Sequence, residues 1–263
     1  MERFGFVGLP NAGKSSLYNA LAGGGALAAP YAFATTDPNE GVARVPDSRL
    51  SLLGEMSNSK KIVPATIQFT DIGGLVEGAA KGEGLGNRFL AGIREVDAIV
   101  FVLRAFSDSD VPGPTDPVEN LRIVEVELAL ADLETTQKQL SKIEKAARAD
   151  KSIGQILDSL KHASEQLDEG VPIYKSDLTS EERELLSDFF LLTDKPVLAV
   201  VNMGEDQVEE TNQILEPVIA ELSGQEVIGM CVQLESEAAL LTPEEQAEML
   251  EALGLGEGAL SKF

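Results

Sequence analysis

The sequence has one cysteine, one histidine and no tryptophan among its 263 residues. Its single cysteine, Cys231, cannot form an internal disulfide, which fits a protein of a reducing compartment. No apolar run is long enough for a membrane-spanning helix. The N-terminus lacks the basic region and apolar core of a signal peptide, because it enters a predicted strand at once. We therefore expect a cytoplasmic protein without a membrane partner.

Basic residues are scarce relative to acidic ones. The chain has 21 Lys and Arg against 44 Asp and Glu, a formal net charge of −23. A field of this sign repels nucleic-acid phosphates at long range, so we expect no DNA partner. One stretch departs from this background, because Lys138, Lys142, Lys145, Arg148 and Lys151 recur every three or four residues. This basic stripe indicates either a contact with RNA or the solvated face of a charged helix.

A phosphate-binding motif lies between a predicted strand at 3–9 and a predicted helix at 15–21, and it reads Gly8-Leu9-Pro10-Asn11-Ala12-Gly13-Lys14-Ser15. Its glycines let backbone N–H groups turn toward phosphates, and the helix N-terminus adds the positive end of its dipole. Lys14 is expected to reach the β- and γ-phosphates, and the Ser15 hydroxyl to bind Mg²⁺. The predicted triphosphate site comprises Asn11, Ala12, Gly13, Lys14, Ser15 and Ser16.

Two further segments fit contacts to the γ-phosphate. Asp71-Ile72-Gly73-Gly74 follows a predicted strand at 67–70. Asp71 can hold Mg²⁺ through water, and Gly73 or Gly74 can present an N–H to the γ-phosphate, which makes Gly74 a candidate catalytic residue beside Lys14. Thr35 lies in a loop between the two phosphate motifs and can close over Mg²⁺. The pattern predicts loops that triphosphate binding would order.

The remaining pattern predicts an α/β fold with an insert. Residues 98–103 and 196–201 are continuous apolar stretches of the kind buried in parallel sheets. Between them, residues 119–148 contain no Gly or Pro and keep an apolar face at helical spacing, and a second helix is predicted over 152–167. We predict a P-loop domain with a mostly parallel sheet at 1–118 and 190–263, and a helical-hairpin insert at 119–189.

Several motifs together resemble one family. The P-loop motif and the segment 71–86 (DIGGLVEGAAKGEGLG) are similar to those of the Obg-related translation-factor class of P-loop NTPases. Residues 33–39 (FATTDPN) and 127–133 (ELALADL) resemble its YchF branch, also called Obg-like ATPases. The resemblance covers essentially the whole chain. It implies a G-domain core with an inserted helical hairpin, Ser15 and Thr35 as Mg²⁺ ligands, and a ribosome or ribosomal RNA as partner.

Base recognition in this class depends on the segment after the second apolar strand. Most relatives read guanine there with Asn-Lys-x-Asp, whereas this sequence has Asn202-Met203-Gly204-Glu205. Glu205 is one methylene longer than Asp, Met203 leaves an apolar surface in place of the lysine that flanks the base, and adenine lacks the guanine donors that a carboxylate binds. The YchF branch departs similarly and prefers ATP. We therefore predict ATP as the ligand, with Asn202, Met203, Glu205, Cys231 and Val232 as further binding residues.

Leu75 stands where switch GTPases carry the glutamine that orients the attacking water. Leucine cannot hydrogen-bond a water, and residues 107–117 lack the histidine that some YchF relatives carry there. The single histidine, His162, lies in the second hairpin helix, where we expect a surface residue. Slow Mg²⁺-dependent ATP hydrolysis is predicted. An Obg-type GTPase and a non-catalytic ATP-sensing module remain the alternatives.

The resemblance has two further implications. Asn11 matches the P-loop asparagine that binds a monovalent cation in some related NTPases, which makes K⁺ a second candidate cofactor. YchF relatives also continue into a C-terminal TGS domain, and this sequence ends at Phe263, about where that domain should begin. We expect the domain to be absent, in a natural short form or in a piece of a longer protein.

Overall fold

The computed structural model of the chain describes residues 1–23, 40–45, 47, 49–72, 85–147 and 153–253. Within these ranges one sheet has the strand order β2-β3-β1-β4-β5-β6. The strands are β1 Glu2–Val7, β2 Glu40–Arg44, β3 Thr66–Asp71, β4 Ala98–Arg104, β5 Val197–Asn202 and β6 Glu226–Met230. Neighbouring strands pair in parallel, apart from the antiparallel pair β2–β3. The predicted α/β fold with a mostly parallel sheet is confirmed.

Helices cover both faces of the sheet. They are α1 Lys14–Gly23, α2 Arg49–Met56, α3 Leu85–Glu95, α4 Pro117–Ala147, α5 Gly154–Asp168, α6 Ser180–Leu186, α7 Thr211–Glu221, α8 Val232–Ala238 and α9 Pro243–Ala252. Side chains alternate between the two faces of a strand. Ile99, Phe101 and Leu103 of β4 accordingly enter one apolar core, and Val100 and Val102 enter the other. No helix in the described ranges is long and apolar enough to cross a membrane.

The sequence patterns do not predict β2, α2 or β6. The strands β2 and β6 are the two edges of the sheet and have only five residues each. In α2, all of which is described, no residue is buried. Apolar periodicity arises from burial of one face, so an element with little buried surface carries a weak signal.

The two long helices predicted in the middle of the chain are present as α4 and α5. Leu160, Ala163 and Leu167 of α5 pack with Ala129 of α4 in a third apolar core. The first half of α4 instead packs on the sheet, because its buried residues Leu121, Val124 and Leu128 belong to the core around β4. Since α4 thus contributes to both units, the division at residue 118 stays a prediction.

Asp132 connects α4 to the segment that precedes β5. Its carboxylate accepts hydrogen bonds from the backbone N–H of Leu192 at 2.8 Å, and from the N–H and hydroxyl of Thr193, both at 2.7 Å. Burial raises the pKa of Asp132 to about 6, while these three donors act in the opposite direction. The contacts fix α4 relative to β5, the strand that ends at Asn202.

Candidate nucleotide-binding site

A cavity of about 860 Å³ lies at the carboxyl ends of the parallel strands. Ligands bind at this edge in open α/β sheets because the loops that follow the strands converge there. The predicted binding residues that line the cavity are Asn11, Gly13, Lys14, Ser15, Ser16, Asn202, Met203, Glu205, Cys231 and Val232. Ala12 does not line the cavity; it is fully buried, and its carbonyl accepts a hydrogen bond from Asn202 Nδ2. The structure thus brings together segments separated by nearly 200 residues in the sequence.

The P-loop is held in a shape that few residues can adopt. Asn11 and Gly13 have positive φ angles of 64° and 100°. A Cβ on Gly13 would lie 2.3 Å from Asn202 Nδ2, and a Cβ on Gly8 would lie 2.3 Å from the carbonyl oxygen of Val102. Glycine at both positions therefore lets the loop lie directly against β4 and Asn202.

Lys14 lies folded along the loop, with only 6% of its surface exposed. Its Nζ donates to the carbonyl oxygens of Gly8 at 3.1 Å and Leu9 at 2.8 Å. Burial lowers the pKa of Lys14, and the nearby Asp71 charge opposes that shift. An ammonium carries three donors, so one remains for a phosphate oxygen beyond these two contacts.

Ser15 and Asp71 form the part of the site that fits Mg²⁺. Ser15 Oγ donates to Asp71 Oδ2 at 2.6 Å. Among the described residues, Asp71 Oδ1 is buried and has no hydrogen-bond partner. Leaving a buried carboxylate oxygen unpaired is costly, and a bound cation or its water would remove that cost. The oxygen donors and the negative charge therefore suit a hard divalent cation.

Asn202 acts as a bridge between two cavity walls. Its Nδ2 donates to the Ala12 carbonyl at 3.0 Å, and its Oδ1 accepts from the Val232 N–H at 3.2 Å. The side chain is 6% exposed. Asn202 thus joins the P-loop to the start of α8, and the Val232 N–H is occupied by this contact.

The structure places most of the Met203 side chain, in the base-recognition segment, in the core. Met203 is 3% exposed and packs in the core with Leu215 and Val218. Its side chain is directed toward Gly229, where a Cβ would lie 3.1 Å from Met203 Cε. The core takes up most of this flexible side chain, and the remainder lines the cavity, so the apolar surface beside the base stays a prediction. Glu205 is exposed at the cavity edge, where a short 3₁₀ helix over Glu205–Glu210 begins.

Several site residues have no signal in the sequence motifs. The loop after β4 contributes Phe106, Ser107, Asp108 and Val111 to the cavity. One face of the α8 segment contributes Gln233, Ser236, Glu237 and Leu240, and Ser236 Oγ donates to the Ser16 carbonyl at 3.2 Å. The positions 233, 236, 237 and 240 have helical spacing but mixed chemistry, so no motif marks them in advance.

Other predicted residues are placed as follows. Thr35, Gly74 and Leu75 lie outside the described residues. Cys231 is buried at the cavity wall, and this burial raises the pKa of its thiol. His162 does not line the cavity and contacts Glu182 and Asp177 in the helical region instead.

Comparison with known proteins finds relatives over nearly the whole chain. The family model described as 50S ribosome-binding GTPase matches residues 3–228. The chain is 43% identical to the ribosome-binding ATPase YchF of Bacillus subtilis, over 98% of this chain and 73% of the relative. It is 38% identical to an Obg-like ATPase homolog of Schizosaccharomyces pombe, over 96% of this chain and 64% of that relative.

A solved structure extends the comparison to three dimensions. The Schizosaccharomyces pombe YchF GTPase superposes with a TM-score of 0.85 at 34% identity, over 99% of this chain and 73% of that chain. The family model, the sequence identity over nearly the full length of this chain and the superposed structure all indicate one family. The chain belongs to the YchF family of Obg-like ATPases and has the P-loop G-domain fold.

Proposed function

We propose that the chain binds ATP with Mg²⁺ in the cavity and hydrolyses it slowly as a switch protein of translation. The observation that carries this proposal is the contact of Ser15 with Asp71 beside the buried Lys14. Asp71 ends β3, and Lys14 and Ser15 begin the helix that follows β1, the parallel neighbour of β3. P-loop enzymes use this arrangement for a phosphate chain and its metal. The name of a relative, ribosome-binding ATPase, and the description of the family model, 50S ribosome-binding GTPase, support the same class of activity.

Each group has a defined part in this proposal. Ser15 and, through water, Asp71 would hold Mg²⁺, with Thr35 as a further ligand. The metal would neutralise charge that develops on the phosphate oxygens. Lys14 binds the β- and γ-phosphates with its remaining donor, and Gly74 supplies a backbone N–H. No histidine lines the described cavity, and Leu75 cannot orient a water, so turnover is expected to be slow.

The choice of base is the second element of the proposal. The names of relatives include both ATPase and GTPase, so we infer the base preference from this chain's own residues. Glu205 at the cavity edge is too long for the position that aspartate takes beside guanine. We expect ATP to bind at least about tenfold more tightly than GTP, a difference of about 1.4 kcal/mol. Tighter GTP binding would instead favour an Obg-type GTPase.

A competition assay with a fluorescent nucleotide tests this preference. Dissociation constants are measured for ATP, ADP, GTP and GDP, with Lys14→Ala as the variant that should lose all four. Glu205→Asp provides the matched change, because it moves the carboxylate back by one methylene. This variant should narrow the ratio of ATP to GTP affinity, and an unchanged ratio would show that Glu205 does not set the base preference.

Turnover separates the enzyme from a non-catalytic ATP sensor. Phosphate release is followed with Mg²⁺ or EDTA, with K⁺ or Na⁺, and with or without ribosomes. We expect release that needs Mg²⁺ and exceeds the Lys14→Ala background. A stimulation by K⁺ over Na⁺ would support a cation at Asn11. If no condition raises release above that background, the sensor alternative is the better description.

The ribosome is the proposed partner, with the basic stripe as its contact. Lys142 and Lys145 are exposed on α4, whereas Lys138 makes an ion pair with Glu134 at 2.5 Å. Charge reversal at Lys142 and Lys145 should weaken co-sedimentation with ribosomes. Reversal at Lys60 and Lys61, which are also exposed and precede β3, is the matched control. Equal effects of the two pairs would indicate a nonspecific charge effect and leave the stripe a solvated face.

A further inference from the structure

Arg104, the last residue of β4, holds the loop that follows this strand. Its Nε donates to the Phe106 carbonyl at 3.1 Å, its Nη2 to the Val111 carbonyl at 3.0 Å, and its Nη1 to the Pro112 carbonyl at 3.1 Å. The guanidinium carbon also lies 4.5 Å from the centre of the Phe106 ring. The Arg104 side chain thus hydrogen-bonds to both ends of the loop 106–112.

The same loop is one wall of the nucleotide cavity and touches the walls on either side. Phe106, Ser107, Asp108 and Val111 line the cavity. At the far end, the Pro112 carbonyl lies 3.5 Å from Asn11 Nδ2 of the P-loop and is also the acceptor for Arg104 Nη1. The contact with the P-loop therefore depends on a carbonyl that Arg104 fixes.

The near end of the loop is joined to the base-recognition segment. Gln207 Nε2 donates to the Ala105 carbonyl at 3.2 Å, while Gln207 Oε1 accepts from the Gly204 N–H at 2.8 Å. The N–H groups of Ala105 and Phe106 both donate to the Asn202 carbonyl, at 2.8 and 3.2 Å. A displacement of the loop would therefore reach the segment 202–205 as well as the P-loop.

The chemistry of Arg104 is unusual for a residue that only fills space. It is 1% exposed, and among the described residues it forms no ion pair with a carboxylate. A buried charge whose partners are carbonyl dipoles and an aromatic ring, with no counter-charge, is expensive relative to an apolar residue of similar size. The planar fork of guanidinium, however, can donate to several carbonyls in fixed directions, which an ammonium cannot do.

We propose that Arg104 is a positioning residue for nucleotide binding, which sets the loop 106–112 as a preformed wall between the P-loop and the base-recognition segment. This inference rests on the proposed function of the cavity. Arg104 acts through Phe106, Val111 and Pro112 and does not itself line the cavity. Loosening the loop weakens nucleotide binding, because the bound state then has to order it.

The test compares Arg104→Lys with the wild-type chain. Lysine keeps the charge and the apolar stem but loses the fork, so the three carbonyls cannot all be satisfied. The dissociation constant for ATP should rise about tenfold, as expected for the loss of one to two net hydrogen bonds. Under saturating ATP, kcat should change less than about twofold, because Lys14, Ser15 and Asp71 keep their contacts. Hydrogen exchange should accelerate at residues 105–113.

Arg183→Lys is the matched control for a general loss of stability. Arg183 donates from Nε to Asp194 Oδ1 at 2.5 Å and from Nη2 to the Asp194 carbonyl at 3.0 Å, in the segment before β5. This variant should leave ATP affinity within about twofold of the wild type. Equal weakening in both variants, or an unchanged affinity in Arg104→Lys, would overturn the positioning role. If the wild-type chain binds neither ATP nor GTP, the proposed function fails, and this inference fails with it.

Discussion

Ser15 and Asp71 are 56 residues apart in the sequence, yet Ser15 Oγ donates to Asp71 Oδ2 at 2.6 Å. The parallel pairing of β1 with β3 causes this proximity, since Phe6 lies in register with Asp71 and the P-loop starts just beyond Phe6. A serine that donates to a carboxylate keeps its lone pairs free for a metal. This is the arrangement by which an outer carboxylate orients a metal ligand.

Asp71→Asn should therefore reduce the dependence of ATP binding on Mg²⁺. The variant keeps the shape of the side chain but removes the charge, and outer-sphere changes of this kind cost about 10- to 100-fold in metal affinity. Titration calorimetry of ATP binding, with Mg²⁺ and with EDTA, measures how much the metal increases ATP affinity. Ser15→Ala should lose the same Mg²⁺-dependent increase in ATP affinity. If both variants keep the full wild-type increase, the roles assigned to Ser15 and Asp71 are wrong.

Asn202→Asp separates the two hydrogen bonds that Asn202 makes. Aspartate can still accept from the Val232 N–H but can no longer donate to the Ala12 carbonyl. The two acceptors would face each other in a buried site, so unfolding free energy should fall by about 1–3 kcal/mol. ATP affinity should also fall, because the P-loop loses its link to β5. Urea unfolding and nucleotide titration measure the two effects. Wild-type stability together with wild-type ATP affinity in this variant would refute the bridging role.

Gly8→Ala should destabilise the fold by about 1–3 kcal/mol. The new Cβ would lie 2.3 Å from the Val102 carbonyl oxygen, and β4 cannot yield as a flexible side chain could. Gly154→Ala is the control, because Gly154 begins α5 with no atom near the added Cβ. Alanine there should be neutral or stabilising by up to about 1 kcal/mol. Thermal unfolding of both variants is the measurement, and similar shifts in each would argue against the clash.

His162 should make stability dependent on pH. Its Nδ1 lies 2.9 Å from Glu182 Oε1, and its Nε2 lies 2.9 Å from Asp177 Oδ1. The hydrogen bond with Glu182, followed by that with Asp177, raises the pKa of His162 above its ordinary value of 6.5. The folded chain thus holds the proton more tightly, so this stabilisation is complete below pH 6.5 and is lost as pH rises through the raised pKa.

At acidic pH, Glu182 makes stability depend on pH in the opposite direction. The hydrogen bond with His162, with two further ones from Thr179, lowers the pKa of Glu182 to about 2. The contribution of Glu182 to stability is therefore present above its ordinary pKa of 4.5 and is lost as pH falls toward 2.

The pH dependence caused by His162 can be measured by urea unfolding. Urea midpoints between pH 5 and 9 should decline across the His162 transition in the wild type. His162→Gln should remove that decline, and an unaltered profile would exclude His162 as its cause.

Local sequence patterns are sufficient to predict the P-loop, the central strands and the two long helices. The P-loop predicts the position of Lys14 and Ser15 because its chemistry is contained in eight consecutive residues. The strands β4 and β5 are evident because they are buried on both faces, and α4 and α5 because helical spacing repeats over many residues. The roles of Thr35 and Gly74 stay predictions, since both lie outside the described residues.

The sequence by itself determined the fold class, the phosphate motif and the helical hairpin, because each depends on residues close together in the chain. Tertiary structure alone decided that Asn202 bridges the P-loop and α8, that Met203 packs into the core, and that Arg104 clamps the loop after β4. These roles depend on which carbonyls and apolar side chains the strand register brings to one edge of the sheet. No local pattern encodes that register, since parallel pairing joins strands distant in sequence.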